Sequence, residues 1–184
     1  MSTRHTALVR TTHWINALSF LALVVSGIAI LLAHPRFYWG ETGYFDTPAA
    51  FEIPLTVNLD QTGWGRDLHF LAAWIAVGNG IVYAAWGLRS RHFWSSAYSR
   101  PQKLAYGSVV FGLLPLLILT GLTLSPAVTA AYPTLFAMFG GRQSARTIHF
   151  LAADILVAFF LAHIALAIRA RTVRAMMLGG MQAK

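Results

Sequence analysis

The chain contains no cysteine. That absence excludes disulfides, iron–sulfur clusters, thiolate metal sites and the thioether attachment of a c-type haem. Any cofactor must therefore be held without a covalent link to sulfur. Charge is nearly as scarce: Asp, Glu, Lys and Arg make up 11% of the 184 residues, and only six residues are acidic. No polar stretch is long enough to build a soluble catalytic domain beside the apolar segments.

Hydrophobic residues are 57% of the chain, and they come in blocks rather than amphipathic stripes. That is the profile of a polytopic membrane protein. A hydrocarbon core roughly 30 Å thick needs runs of about 20 apolar residues. Four such runs are present, at 13–33, 66–88, 104–124 and 147–168. We therefore expect an all-α, polytopic membrane four-helix bundle forming one domain over 1–184. The net charge of +8 reads as topogenic charge at helix ends rather than as a nucleic-acid surface. A basic region before the first apolar run also resembles a signal peptide. However, Trp14–Ala33 exceeds a usual signal core, and His34-Pro35-Arg36-Phe37 is a poor cleavage site, so the first helix is expected to be retained.

The connection 34–64 is the longest, is rich in Tyr, Phe, Trp, Gly and Pro, and holds Glu41, Asp46, Glu52 and Asp60, four of the six acidic residues. A loop this long is usually a functional or partner surface, the alternative being a plain polar lid. The third helix contains Gly112 and Pro115, so a kink is expected, and it offers no histidine. Basic residues set the orientation. The side with both termini and 89–103 carries Lys or Arg at 4, 10, 89, 91, 100, 103, 169, 171, 174 and 184, against 36, 66, 142 and 146 on the other. Both termini are thus expected in the cytoplasm and the acidic, aromatic loop outside.

The phrase Arg146-Thr147-Ile148-His149-Phe150-Leu151-Ala152-Ala153 repeats Arg66-Asp67-Leu68-His69-Phe70-Leu71-Ala72-Ala73, and Arg10-Thr11-Thr12-His13 is a shorter echo. His149 and His163 lie fourteen positions apart on one expected helix. Fourteen steps fall about 40° short of four whole turns and rise about 21 Å, so both imidazoles share a face at two depths. With the orientation above, His13 and His163 lie near the cytoplasmic side, and His69 and His149 sit one turn inside the outer ends of their helices. An ionisable residue at membrane depth is a functional candidate by default. Two depth-matched pairs suit bis-imidazole ligation of two haems, because a six-coordinate low-spin iron transfers electrons with little rearrangement. Two histidines per layer fall short of a tetrahedral zinc site.

Arg10, Arg66 and Arg146 each stand three residues before a histidine, where a guanidinium could meet a haem propionate or serve as a snorkelling anchor. Small residues Ala17, Gly27, Ala73, Gly78, Gly80, Ala152 and Ala153 suit a close-lying porphyrin or plain helix packing. His34 is the rival ligand on the outer side, whereas His5 and His92 read as solvated. Asn16, Lys103 and Tyr106 cluster near the cytoplasmic side and border a candidate quinone pocket, with interfacial anchoring as the alternative. Asp154 lies about 140° around its helix from His149, away from the haem face.

The Arg10-Thr11-Thr12-His13-Trp14 start, the His69 entry, a histidine-free third helix and the His149 to His163 spacing together resemble the bacterial four-helix dihaem cytochrome b superfamily. That superfamily includes hydrogenase cytochrome b, formate dehydrogenase gamma and thiosulfate-reductase-type cytochrome b subunits, and stand-alone relatives that oxidise superoxide. The resemblance spans roughly residues 10–170. It implies two noncovalent b haems, with His69 and His149 on the periplasmic one and His13 and His163 on the cytoplasmic one. It further implies a subunit of the bacterial inner membrane that exchanges electrons with quinone near the cytoplasmic haem, electrons arriving from outside. The long outer loop favours docking to a periplasmic molybdopterin oxidoreductase or hydrogenase. The alternative is a stand-alone superoxide:quinone oxidoreductase, which would want a basic rather than an acidic outer surface. Because no cysteine can hold a porphyrin, acidified acetone is expected to extract all haem from the purified protein; haem remaining on the chain would contradict this reading.

Overall fold

A computed structural model describes residues 6–43, 46–54, 63–90, 100–173 and 177. Arg4, His5, Asp60, Arg91, His92, Arg174 and Lys184, which entered the charge and histidine reading, lie outside the described residues. Four helices are long and apolar enough to cross a membrane: Ala7–Ala33, Trp64–Arg89, Arg100–Leu124 and Arg142–Arg169. The protein is a multi-pass membrane protein, and each span sits on one of the four apolar runs. Every helix also begins before its run, because a helix of about 27 residues is about 40 Å long and carries its polar first turns through the headgroup layer.

Two compact units emerge, one formed by Met1–His34, Thr56–Ser96 and Ala162–Lys184, the other by Pro35–Leu55 and Ala97–Leu161. In the first unit, α1 (Ala7–Ala33) and α2 (Trp64–Arg89) form an antiparallel pair. Near the start of α1, the Asn79 amide donates to the Thr12 carbonyl (2.8 Å) and to Asn16 Oδ1 (2.7 Å). Near the other end the helices approach so closely that a Cβ added at Gly65 would sit 3.0 Å from the Ala29 Cβ. An interhelical amide bond of this kind is worth about 1 kcal/mol in a bilayer. Trp14 Nε1 donates to the Met177 carbonyl (3.0 Å), tying the start of α1 to the segment that follows the last helix.

In the second unit, the third span is built of α3 (Arg100–Ser108), a π-helical turn (Val109–Leu113) and α4 (Leu114–Leu124). Pro115 has no N–H to continue the i→i−4 ladder, and the Leu114 N–H reaches back to the Val109 carbonyl instead. The expected kink takes this form. The connection that follows holds α5 (Pro126–Ala131) and a 3₁₀ helix (Pro133–Phe139), each opened by a proline at its first turn. Neither was anticipated from the turn residues there. The last span is α6 (Arg142–Arg169), whose residues through Leu161 belong to this unit and whose remainder belongs to the first.

The described part of the long connection is an ordered strap on the beginning of α6. Strands β1 (Arg36–Phe37) and β2 (Phe51–Glu52) pair antiparallel, with Arg36 opposite Glu52 and Phe37 opposite Phe51. Phe37 stacks on Phe51 at 4.7 Å and packs on Phe150 at 4.4 Å between ring centroids. The Gly40 carbonyl accepts from the Gln143 and Ser144 N–H groups (2.9 and 3.2 Å), and Glu41 Oε2 accepts from the Arg142 N–H (3.4 Å). These first-turn donors have no partner inside the helix, and a carboxylate at a helix N-terminus is favoured by the dipole. Glu52 pairs with Arg36 at 3.0 Å, an exposed bridge worth at most about 1 kcal/mol. Two of the acidic residues that read as a partner surface therefore work within the fold.

The protein's interior is polar in an unusual sense. Its largest fully buried side chains are Thr120, Thr123, Thr147 and Ser26, whereas leucines, isoleucines and tryptophans cover the outside. Small hydroxyl residues let helices approach, and lipid solvates the large apolar ones. At Gly141 (φ +117°) a Cβ would meet the Gly40 backbone, in a conformation that other residues adopt at a cost. Gly141→Ala is expected to cost about 1–3 kcal/mol, read as a lowered Tm of the detergent-purified protein and faster proteolysis within 35–54; an unchanged Tm would contradict the strap's role.

Candidate functional site

The two copies of the repeated phrase enter their helices in the same way. Ala72 and Ala152, at matching positions three residues after the histidine, are each 3% exposed. In the first unit, His69 reaches from α2 to α1, where its Nδ1 lies 2.9 Å from Ser26 Oγ. Ser26 is fully buried, and its hydroxyl donates to the Ala22 carbonyl at 2.6 Å. Gly27 follows, and a Cβ there would sit 3.8 Å from His69 Cε1. In the second unit, His149 reaches from α6 to α4, where its Nδ1 lies 2.9 Å from Thr120 Oγ1. Thr120 is likewise fully buried and donates to the Leu116 carbonyl at 2.7 Å. Gly121 follows, and a Cβ there would sit 3.3 Å from His149 Cε1.

In both cases the hydroxyl engages Nδ1, and Nε2 lies on the far side of the ring. One-nitrogen anchoring with the other nitrogen ligating is the usual arrangement of a metal-bound imidazole. His13 and His163 are half-buried, and both fall in the first unit. His149 and His163 lie on one unbroken helix, so the two-depth spacing of about 21 Å holds along α6. Among the described residues, no three His, Cys, Asp or Glu side chains gather.

The three arginines differ from one another. Arg10 is half-buried and Arg66 exposed. Arg146 has a structural employment: its guanidinium lies 4.9 Å over the Phe37 ring, and its Nη1 donates to the Arg36 carbonyl at 3.0 Å. Beside it Thr147 donates to the Tyr38 carbonyl at 2.8 Å. These contacts fix the height and rotation of the first turns of α6 and hence of His149. His34, the rival ligand, is exposed and terminates α1, its N–H bonded to the Ile30 and Leu31 carbonyls.

The residues read as a quinone border are distributed over both units. Asn16 belongs to the first, bonded to Asn79, and beside it Ala7, Leu8, Thr11, Thr12, Ile15 and Ile75 line an open, largely apolar groove. Lys103 and Tyr106 belong to the second, Lys103 exposed and Tyr106 edge-on to Phe159 at 5.8 Å. Asp154 is exposed on α6.

Ser26 and Thr120 were not anticipated. A signal for them exists, because Val24-Val25-Ser26-Gly27-Ile28-Ala29-Ile30 parallels Ile118-Leu119-Thr120-Gly121-Leu122-Thr123-Leu124 position by position. That repeat carries no histidine, and a search anchored on histidines passes over it.

A family profile described as prokaryotic cytochrome b561 matches residues 4–181. Among characterised sequences, a putative protein-methionine-sulfoxide reductase subunit of Azospira oryzae is 28% identical over 206 aligned positions, covering 95% of this chain and 96% of that protein. No solved structure matches the chain.

Glycine-to-alanine changes separate the two ring contacts. Gly27→Ala should be neutral or stabilising by up to about 1 kcal/mol, the ordinary helix-propensity gain. Gly121→Ala should lose that gain by displacing the His149 ring. Equal Tm shifts for the two variants would contradict the tighter packing at Gly121.

Proposed function

The chain belongs to the prokaryotic cytochrome b561 family of membrane proteins that bind b-type haem, and from that premise we propose that it is a dihaem electron relay between quinone and a redox enzyme outside the membrane. The observation that carries this reading is the matched anchoring of His69 and His149, each held on Nδ1 by a buried hydroxyl. Imidazoles held in this way would suit axial ligation of a haem iron. His69, His149, His13 and His163 are the proposed axial ligands. The proposed pairs are those expected from the sequence, His13 with His163 and His69 with His149.

A bound haem supplies a one-electron couple. The chain's own contribution is to hold the imidazoles at fixed depth, to exclude water with the apolar helices and to keep the ligating nitrogens oriented. Arg10 and Arg66 are placed to meet propionates at the membrane surface. Arg146 shares that position with its strap contacts. Asn16, Lys103 and Tyr106 are the proposed quinone contacts on the side of the termini, which we place in the cytoplasm from the charge asymmetry.

The Azospira oryzae relative is described as a subunit of a reductase. That supports a partner-dependent role over a self-sufficient superoxide oxidase, and it favours a reductase over a hydrogenase as the partner. With a reductase, electrons run outward from quinol, opposite to the direction first expected from the resemblance. The ordered strap, with Trp39 exposed on it, is the proposed docking face.

Replacing each of His13, His69, His149 and His163 singly by alanine and measuring haem per purified chain tests the assignment. Two haems in the parent and about one in each variant is expected. A haem-free parent, or a His149→Ala variant with the parent's reduced-minus-oxidised spectrum, would overturn the reading.

A further inference from the structure

We propose that Ser26 and Thr120 are positioning residues for haem: each keeps the proton of its histidine on Nδ1, so that Nε2 meets the iron as a strengthened electron-pair donor. The proposal rests on His69 and His149 being axial ligands.

The placement of a single hydroxyl proton decides which partner donates. Ser26 Oγ lies 2.6 Å from the Ala22 carbonyl and 3.2 Å from that of Leu23. Thr120 Oγ1 lies 2.7 Å from the Leu116 carbonyl and 3.2 Å from that of Leu117. Backbone carbonyls only accept, so the hydroxyl proton is committed along the helix in both cases. The oxygen then faces His Nδ1 at 2.9 Å as an acceptor, and the ring must be the donor. Both hydroxyls are fully buried, so water does not compete.

The arrangement occurs twice, on different helices, and each time a glycine follows the hydroxyl residue and clears the ring edge at Cε1. Val24–Ile30 and Ile118–Leu124 both set the hydroxyl residue and its glycine among aliphatic residues. A chance packing contact would not be expected to reproduce the residue order, the bonded nitrogen and the donor direction together. The helices that carry Ser26 and Thr120 contribute no ligand at that depth. They contribute the hydroxyl that orients one.

An N–H donated from Nδ1 raises the basicity of Nε2, and such outer contacts are commonly worth 10–100-fold in metal affinity. A more basic ligand favours ferric over ferrous iron. Removing the hydroxyl should therefore raise a haem midpoint potential and speed haem loss.

The test uses the full chain, haem-loaded in detergent or nanodiscs, with Thr120→Val, Thr120→Ser, Ser26→Ala and Ser26→Thr. Redox potentiometry, the electron paramagnetic resonance g-values of the low-spin ferric haems, and haem release to apomyoglobin are read for each. Thr120→Val and Ser26→Ala should move one redox step upward, shift its g-values and release haem about tenfold faster. Thr120→Ser and Ser26→Thr keep the hydroxyl and should restore the parent values. Should Thr120→Val not accumulate, the Ser26 pair and Thr120→Ser give the same reading. Hydroxyl-deleted variants with parental potential and g-values, or hydroxyl-retaining variants that behave like the deleted ones, would overturn the proposal. His69→Ala and His149→Ala made in parallel separate the two levels: if they keep both haems the ligand assignment fails, and if they lose haem while the hydroxyl variants are silent only the positioning role fails.

Discussion

Within a bilayer no water is at hand to satisfy a polar group, and this constraint shapes every buried feature of the chain. A hydroxyl or imidazole at membrane depth must find its partner inside the protein. Ser26 and Thr120 do so by donating to the carbonyl one turn back on their own helices, and that choice leaves their oxygens as acceptors for His69 and His149. Asn79 does the same with Thr12 and Asn16. Small hydrogen-bonded residues are thus among the most buried, while many bulky apolar side chains lie on the outside. Rigid histidines follow from this arrangement, and rigid ligands suit electron transfer, in which little should move.

The strap answers the same constraint at a helix end. The first N–H groups of α6 have no partner within the helix, and Gly40 and Glu41 accept from them. Phe37, Phe51 and Phe150 pack the strap against α6, and Arg146 and Thr147 fasten it one turn further along. His149 follows within two residues of Thr147, so the strap also sets the height of a proposed ligand.

Much of this was legible in the sequence because the strongest signals are long or repeated. Apolar run length alone located four helices, and Gly112 with Pro115 marked the break in the third, which is a π-helical turn. The phrase shared by residues 66–73 and 146–153 falls in the first turns of two long helices, where Ala72 and Ala152 are equally buried. Helix starts were placed too late, at 13 rather than Ala7 for instance, because polar first turns carry no hydropathy signal. The strap was not legible, since it depends on backbone bonds between residues about a hundred positions apart, such as the Ser144 N–H with the Gly40 carbonyl; the two short helices after Ser125 are too short for a periodicity to show. Thr120 escaped notice for another reason: a threonine in an apolar helix is commonplace, and only its bond to His149 distinguishes it.

The account's central claim is that buried hydroxyls hold the histidines by one nitrogen so that the other can ligate haem. A cryo-electron microscopy structure of the haem-loaded protein in nanodiscs, at a resolution that separates the two ring nitrogens by their contacts, tests it most directly. The account predicts iron bonded to Nε2 of His69 and His149 with Nδ1 still on Ser26 and Thr120. Ligation through Nδ1, or haem held by other residues while these two rings keep only their hydroxyl partners, would contradict it.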